Sequence, residues 1–284
     1  MTGPGAMAPL MTRWGLTPDG PAPVLRYQGD TPTGAVAFVR RGEERLVLKL
    51  LTPGSDEAQS AAVLTHWDGQ GAVRLVEAVE GAILMERAAP GEDLAEHVRA
   101  GRDDEATLIL CEVVAKLRRP APAEGGYRRI EDWGAGFDRN RDRAIALGIE
   151  ARLIDHAAEV FDTLAATQGE PILLHGDLHH YNIVRDERRG WLAIDPKGVL
   201  GEAAYETGAL IRNPIEDFAL CARADIVERR ARLIAERLGY DYQRVVGWAF
   251  AQWMLADLWA IQDGISFAPE WLDGPRAAET LLAL

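Results

Sequence analysis

Lysine is scarce in this 284-residue chain: Lys49, Lys116 and Lys197 stand against 28 arginines, so each surviving lysine is informative. Cysteine is scarcer still. Cys111 and Cys221 make no disulfide framework and suit a reducing compartment. No run of eighteen apolar residues occurs, which excludes a membrane-spanning helix. The first twenty residues are rich in Pro and Gly and lack a basic segment followed by an apolar one, so no secretory signal and a cytoplasmic location are expected. Neither a Gly-x-Gly-x-x-Gly loop nor a Gly-rich loop closing on Lys-Ser/Thr is present. Positive charge is in deficit, with a net −13 divided as −2 over residues 1–90 and −11 over residues 91–284. Such a surface repels nucleic acid and favours a cationic small molecule.

What is present reads as a globular protein, 48% hydrophobic and 26% charged. Residues 33–40 and 45–51 are two β-rich runs around the turn Arg41-Gly-Glu-Glu44. Ser55 or Asp56 can cap a helix running from Glu57 to Trp67. Two more strands follow over 72–77 and 81–87, and Ala88-Ala-Pro-Gly91 closes the segment as a hinge. Beyond it helical patterning dominates: 93–99, 105–118, a long helix within 142–168, then 204–212, 216–238, 242–263 and 275–284. The expected architecture is α+β and bilobal. A small β-rich N-terminal lobe with one helix, residues 1–88, precedes a larger mainly helical lobe, residues 89–284, with a ligand cleft between them.

The densest chemistry lies in His175-Gly-Asp177-Leu-His-His-Tyr-Asn182, followed thirteen residues later by Asp195 in Ile194-Asp-Pro-Lys-Gly198. The spacing His-x-Asp-x-x-x-x-Asn is that of a kinase catalytic loop. In that chemistry the first Asp accepts the proton of an attacking hydroxyl, while the Asn and second Asp offer oxygen ligands to magnesium on ATP. Asp177 is therefore the candidate base, and Asn182 and Asp195 are the candidate metal ligands. Lys49, leaving an apolar strand, is placed to reach nucleotide phosphates as a point charge, with Glu57 as its ion-pair partner. Thr33 and Gly34, ending the stretch Gly29–Gly34, are the candidate phosphate-covering backbone. The backbone of Glu86 to Ala88 is the candidate adenine contact, with Arg87 beside it. The aromatic helix carrying Trp253, Asp257, Trp259 and Asp263 is a candidate wall for an acceptor pocket, its acids meeting amines or guanidines. His175, His179 and His180 also admit a zinc-hydrolase reading.

Taken together, these stretches resemble the aminoglycoside phosphotransferase family, in the branch of streptomycin 6-kinases and hydroxyurea-resistance phosphotransferases. The resemblance is carried by Trp67-Asp-Gly-Gln-Gly-Ala-Val-Arg-Leu-Val76, Leu84-Met-Glu-Arg87, Leu174–Val184, Ile194–Gly198, Gly201–Glu206 and Ile211-Arg-Asn-Pro214. It implies a protein kinase-like fold and ATP- and Mg²⁺-dependent phosphorylation of an aminocyclitol hydroxyl, with base, metal ligands and ATP lysine at the positions already named. Two departures stand out. Glu206 occupies a position where relatives usually have Asp, and Gln262 replaces an acid common before Asp-Gly. The alternatives carried forward are a kinase of another sugar or amino alcohol, and a nucleotide-binding relative without catalysis.

Overall fold

Strand alternation explains how the first part of the chain divides its side chains. The computed structural model describes residues 4–28, 31–52 and 54–283. Strand β1 (Thr17–Pro18), β2 (Val24–Gln28), β3 (Thr31–Arg41) and β4 (Glu44–Leu51) precede helix α2 (Ser60–Trp67), itself preceded near the N-terminus by α1 (Met7–Arg13). β5 (Leu75–Val79) and β6 (Ala82–Glu86) complete an antiparallel sheet of order β1-β3-β4-β6-β5, with β2 also paired to β3. Side chains along a strand alternate between faces. Leu46, Leu48 and Leu50 of β4 therefore share one buried face, where Met7 and Trp14 cover them in a small core of its own. Val47, Lys49 and Leu51 turn to the opposite face, and the register sets Lys49 between Val36 of β3 and Ile83 of β6.

Several boundaries differ from the sequence expectation, each for a local reason. The helix expected from Glu57 begins at Ser60, because residues 55–60 form i→i+3 turns in which Ala58 N donates to Ser55 O and Ser60 N to Glu57 O. β5 starts at Leu75 instead of Ala72, because Ala72 is drawn into a parallel bridge with Ala193, Ala193 N donating to Gly71 O at 2.8 Å. Helix α1 escaped the reading of a Pro/Gly-rich N-terminus.

The larger part is mainly helical. β7 (Pro90–Asp93) leads to α3 (Ala95–Arg99), α4 (Asp103–Leu117), β8 (Arg128–Arg129), α5 (Ile130–Ala146) and α6 (Ala151–Ala166). The long helix expected within 142–168 is α6, parted from the end of α5 at Leu147–Glu150, where Gly148 has a φ of +98°. Then come β9 (Ile172–Leu174), β10 (Ile183–Asp186), β11 (Gly190–Ala193), β12 (Val199–Gly201), α7 (Thr207–Ile211), α8 (Phe218–Cys221), α9 (Ala224–Leu238), α10 (Tyr242–Gln262) and α11 (Asp273–Glu279). The 216–238 segment likewise breaks between α8 and α9. Two three-stranded sheets, β11-β10-β7 and β8-β12-β9, frame the chain around Asp177. Asp241 caps α10 by accepting from Arg244 N at 2.8 Å. Apolar on all sides, α10 runs through the core, packed by α5, α6, α7, α9 and α11. No helix among the described residues is long and apolar enough to cross a membrane.

One polar connection is wholly internal. Arg230 of α9 is fully buried, its Nε 3.1 Å from Asp103 Oδ1 and its Nη1 donating to the carbonyls of Ile211 at 2.8 Å and Asn213 at 2.6 Å. Losing one partner of such a pair strands the other charge, at a cost of about 3–5 kcal/mol, whereas replacing both with apolar groups is far milder. Arg230→Met should therefore lower the urea midpoint sharply, and Asp103→Leu combined with Arg230→Met should recover part of the loss. Equal stability of the single and double variants would contradict this account.

Candidate active site

The site is assembled on the turn leaving β9. β9 pairs with β12 so that Leu174 faces Val199, which brings His175 against the return segment. His175 O accepts from Lys197 N at 2.9 Å and Gly198 N at 3.1 Å. Glycine is required on both sides of this contact. Gly176 has φ +84°, and a Cβ at Gly198, φ +80°, would stand 2.5 Å from Val63 Cγ2. Below the turn the buried Glu206 carboxylate accepts from His175 N at 2.6 Å and Gly176 N at 3.0 Å. The longer acid at this position thus still braces the loop.

His175 joins the two motif segments. Its Nε2 lies 2.7 Å from Ile194 O, and its Nδ1 lies 3.3 Å from Asp177 N. A carbonyl needs a donor and an amide N–H needs an acceptor, so the ring is neutral with its proton on Nε2. Complete burial, partly opposed by the Ile194 carbonyl, lowers its pKa to about 4 and keeps it neutral. Trp67 stacks beside it at 6.0 Å between centroids.

Asp177 is bracketed by three basic side chains. Lys197 Nζ lies 3.3 Å from Oδ2, His179 Nε2 lies 3.7 Å from the same oxygen, and Arg212 Nη2 lies 3.8 Å from Oδ1. Burial by itself would raise this carboxyl, but Lys197, His179 and Arg212 together hold it well below the usual range. Asn182 Nδ2 donates to Asp177 O at 2.9 Å. Nearby, Asp195 takes a left-handed φ of +56°, a strained setting of the kind concentrated at functional sites. Its Oδ1 lies 2.8 Å from Lys49 Nζ, and Glu57 Oε2 lies 2.8 Å from the same nitrogen. Lys49 is only 1% exposed, a buried ammonium between two carboxylates.

Two cavities adjoin these groups. One, of about 200 Å³, has Val36, Val47, Met85, Val184 and Ile194 on its walls, Lys49 and Asp195 at one end and Glu86 to Ala88 at the other. A larger one, of about 570 Å³, is lined by Asp56, Asp132, Trp133, Lys197, Trp259 and Asp263 among others, with Arg128, Arg139 and Gln262. Trp133 and Trp259 meet edge to face at 5.7 Å.

Lys49, Glu57 and Asp195 are thus brought together, as are Asp177 and Asn182. The Glu86 side chain is engaged by Arg189 and by Arg74 N at 2.9 Å, and Glu86, Arg87 and Ala88 are among the residues lining the smaller cavity. Thr33 and Gly34 correct the loop expectation. They lie inside β3, where Gly34 pairs with Leu51 and a Cβ would meet Leu50 O at 2.2 Å; Gly29 and Asp30 lie outside the described residues. Trp253 is corrected too. It is 1% exposed in the core, packed on Phe218 and Gly274, and lines neither cavity. Asp257, 8% exposed, also lines neither, and burial pushes its carboxyl well above the usual range despite Arg212 nearby. The zinc reading fails on geometry, since no cluster of three metal-ligating side chains exists among the described residues. His175 spends both nitrogens on backbone. Sequence reasoning missed Lys197, Arg212, Asp132 and Trp133 as site residues; the rarity of lysine was the signal for the first.

Burial sets two opposed titrations in the brace. His175 holds a proton when unfolded but not when folded between about pH 4 and 6.5, so its contribution to stability is lost as pH falls through that window, and the buried His180 acts in the same sense. Burial, against the N–H groups of His175 and Gly176, raises Glu206 from 4.5 to about 7, so the folded chain holds an extra proton there and stability is lost as pH rises. Over the shared window the slopes oppose. In Glu206→Gln the histidine slope should stand alone, and unfolding free energy should climb more steeply than in the wild type, by up to about 1.4 kcal/mol per pH unit. Denaturation at stepped pH measures this, and identical slopes would refute the Glu206 assignment.

Comparison with known proteins places this geometry in context. Residues 13–264 match the family model described as aminoglycoside/hydroxyurea antibiotic resistance kinase. The chain is 34% identical to a streptomycin 3''-kinase of Klebsiella pneumoniae, covering 89% of this chain and 92% of that one. It is 33% identical to a hydroxyurea phosphotransferase of Kitasatospora aureofaciens (94% and 76% covered) and 30% identical to a streptomycin 6-kinase of Streptomyces glaucescens (92% and 84%). In fold it resembles an aminoglycoside phosphotransferase solved with ADP and hygromycin B, TM-score 0.61 at 15% identity over 95% and 94% of the chains. It also resembles a choline kinase of Streptococcus pneumoniae, TM-score 0.59 at 13% identity over 96% of both. The fold is therefore the bilobal protein kinase-like one, and with a family match spanning nearly the whole chain, this protein belongs to the aminoglycoside/hydroxyurea antibiotic resistance kinases.

Proposed function

We propose that the protein transfers the γ-phosphoryl group of ATP to a hydroxyl of a cationic aminocyclitol of the streptomycin class. The observation that carries this reading is the convergence of Asp177, Asn182 and the Lys49–Asp195 pair, with Lys49 and Asp195 on the wall of a narrow apolar cavity and Lys197, the partner of Asp177, on the wall of a wide one lined by three carboxylates and three cations. The narrow cavity suits an adenine between apolar walls, with hydrogen bonds from the backbone of Glu86 and Ala88. Lys49 would meet the α- and β-phosphates, held ready by Glu57. Asn182 and Asp195 fit a magnesium ion because both offer hard oxygen donors, the remaining positions falling to phosphate and water oxygens. Bound there, the ion would neutralise charge on the phosphates.

Asp177 would orient the acceptor hydroxyl and take its proton as the bond to phosphorus forms. A carboxylate held this low is a weak base, which suits a loose transition state where positioning matters more than early deprotonation. In the wider cavity Asp56, Asp132 and Asp263 would meet ammonium or guanidinium groups, and Trp133 and Trp259 would cover the sugar ring. Arg128, Arg139 and Gln262 dilute that acidity, and they support a second reading in which the acceptor is a less cationic amino alcohol or sugar.

The reading is tested by following ATP consumption with Mg²⁺ over streptomycin, other aminoglycosides, amino alcohols and simple sugars. Product phosphorylated by this enzyme on streptomycin supports the first reading; turnover only on amino alcohols or sugars supports the second. Asp177→Ala should lower kcat by about three powers of ten or more with ATP binding retained. Asp195→Ala should weaken Mg²⁺–ATP binding itself, seen as a loss of heat on calorimetric titration.

A further inference from the structure

We infer that Lys197 is a further catalytic residue, which leaves Asp177 for the γ-phosphoryl group when ATP binds and thereby frees the base as it stabilises the group being transferred. The inference rests on the phosphotransfer reading above. Lys197 Nζ lies 3.3 Å from Asp177 Oδ2 and 4.0 Å from Asp56 Oδ2. Its main chain is pinned, because Lys197 N and Gly198 N both donate to His175 O and Gly198 has no room for a side chain. Ser60 Oγ lies 2.7 Å from Pro196 O, so α2 holds the same turn from the other side. The backbone is thus fixed while the four-carbon stem, a quarter exposed, stands at the edge of the wide cavity.

Two further observations give the exchange a reason. Lys197 stands two residues after Asp195, so the turn that presents one metal-ligand candidate also presents this ammonium to the phosphates. Asp177 also has more than one partner, Lys197 and His179 facing Oδ2 and Arg212 facing Oδ1, so Lys197 can leave without stranding the carboxylate. The groups facing Lys197 are Asp177, Asp56 and, repulsively, Arg212. A γ-phosphoryl group brings more negative charge than a carboxylate and draws the ammonium across. In the reaction the acceptor O–H gives its proton to Asp177 and its oxygen bonds to phosphorus. The bond from phosphorus to the bridging oxygen breaks and ADP leaves; Lys197 keeps its proton throughout.

The test compares wild type, Lys197→Met and Lys197→Arg. Binding of ADP and of AMP-PNP, each with Mg²⁺, is measured by calorimetry, and kcat is measured on the best acceptor. The expected result is that Lys197→Met leaves ADP affinity within about twofold but loses the extra affinity due to the γ-phosphoryl group. Its kcat should fall by about 10²-fold, the scale for removing one transition-state donor, with partial rescue in Lys197→Arg. An unchanged ratio of AMP-PNP to ADP affinity, or a kcat within threefold of wild type, would overturn the inference. Should the wild type phosphorylate no alcohol, the proposed function fails while the two binding ratios still decide the role of Lys197.

Discussion

A single buried ammonium holds the two halves of this molecule in working order. Lys49 sits in the middle of a sheet with almost no access to water, and it is tolerable there only because Glu57 and Asp195 each approach to 2.8 Å. One of these acids lies just before α2 and the other follows β11, so neutralising one charge fixes three distant segments at once. The desolvation cost of the ammonium means that neither carboxylate can drift without leaving a charge stranded. The sheet, the first long helix and the turn bearing Asp195 therefore share one electrostatic constraint.

Around that pair the remaining order is built from backbone. His175 spends both ring nitrogens and its carbonyl on other segments, and Glu206 spends both carboxylate oxygens on the N–H groups of the loop. Neither side chain has a free atom for a ligand. Their work is to hold Asp177 and Asp195 at a fixed separation, which is how preorganised sites hold geometry without reorganising at the moment of reaction.

The catalytic stretch was legible because its chemistry demands particular residue types at particular intervals. The spacing of Asp177, Asn182 and Asp195 and the apolar strand around Lys49 both survive in the structure as neighbours. Boundaries were less legible where tertiary contacts outweigh local preference: Ala72 is captured by β11, and Glu57 stays in a turn whose residues point back to Lys49. Trp253 and Asp257 were misjudged because a helix apolar on every side gives no periodic clue to which face meets a cavity. Lys197 was marked by the rarity of lysine and by its place in Ile194-Asp-Pro-Lys-Gly198. Only the hairpin-like return of β12 against β9, a long-range pairing, sets it beside Asp177.

The apolar side of α2 has a mechanical consequence. Val63, Leu64 and Trp67, with Ile83 and Met85 of β6, merge with Leu94, Leu110 and Val114 in one dry body that continues into the helical region. Only the far face of the sheet, under α1, keeps a separate core. A wide hinge opening would have to expose that shared apolar seam to water, so the two regions resist swinging apart as rigid halves.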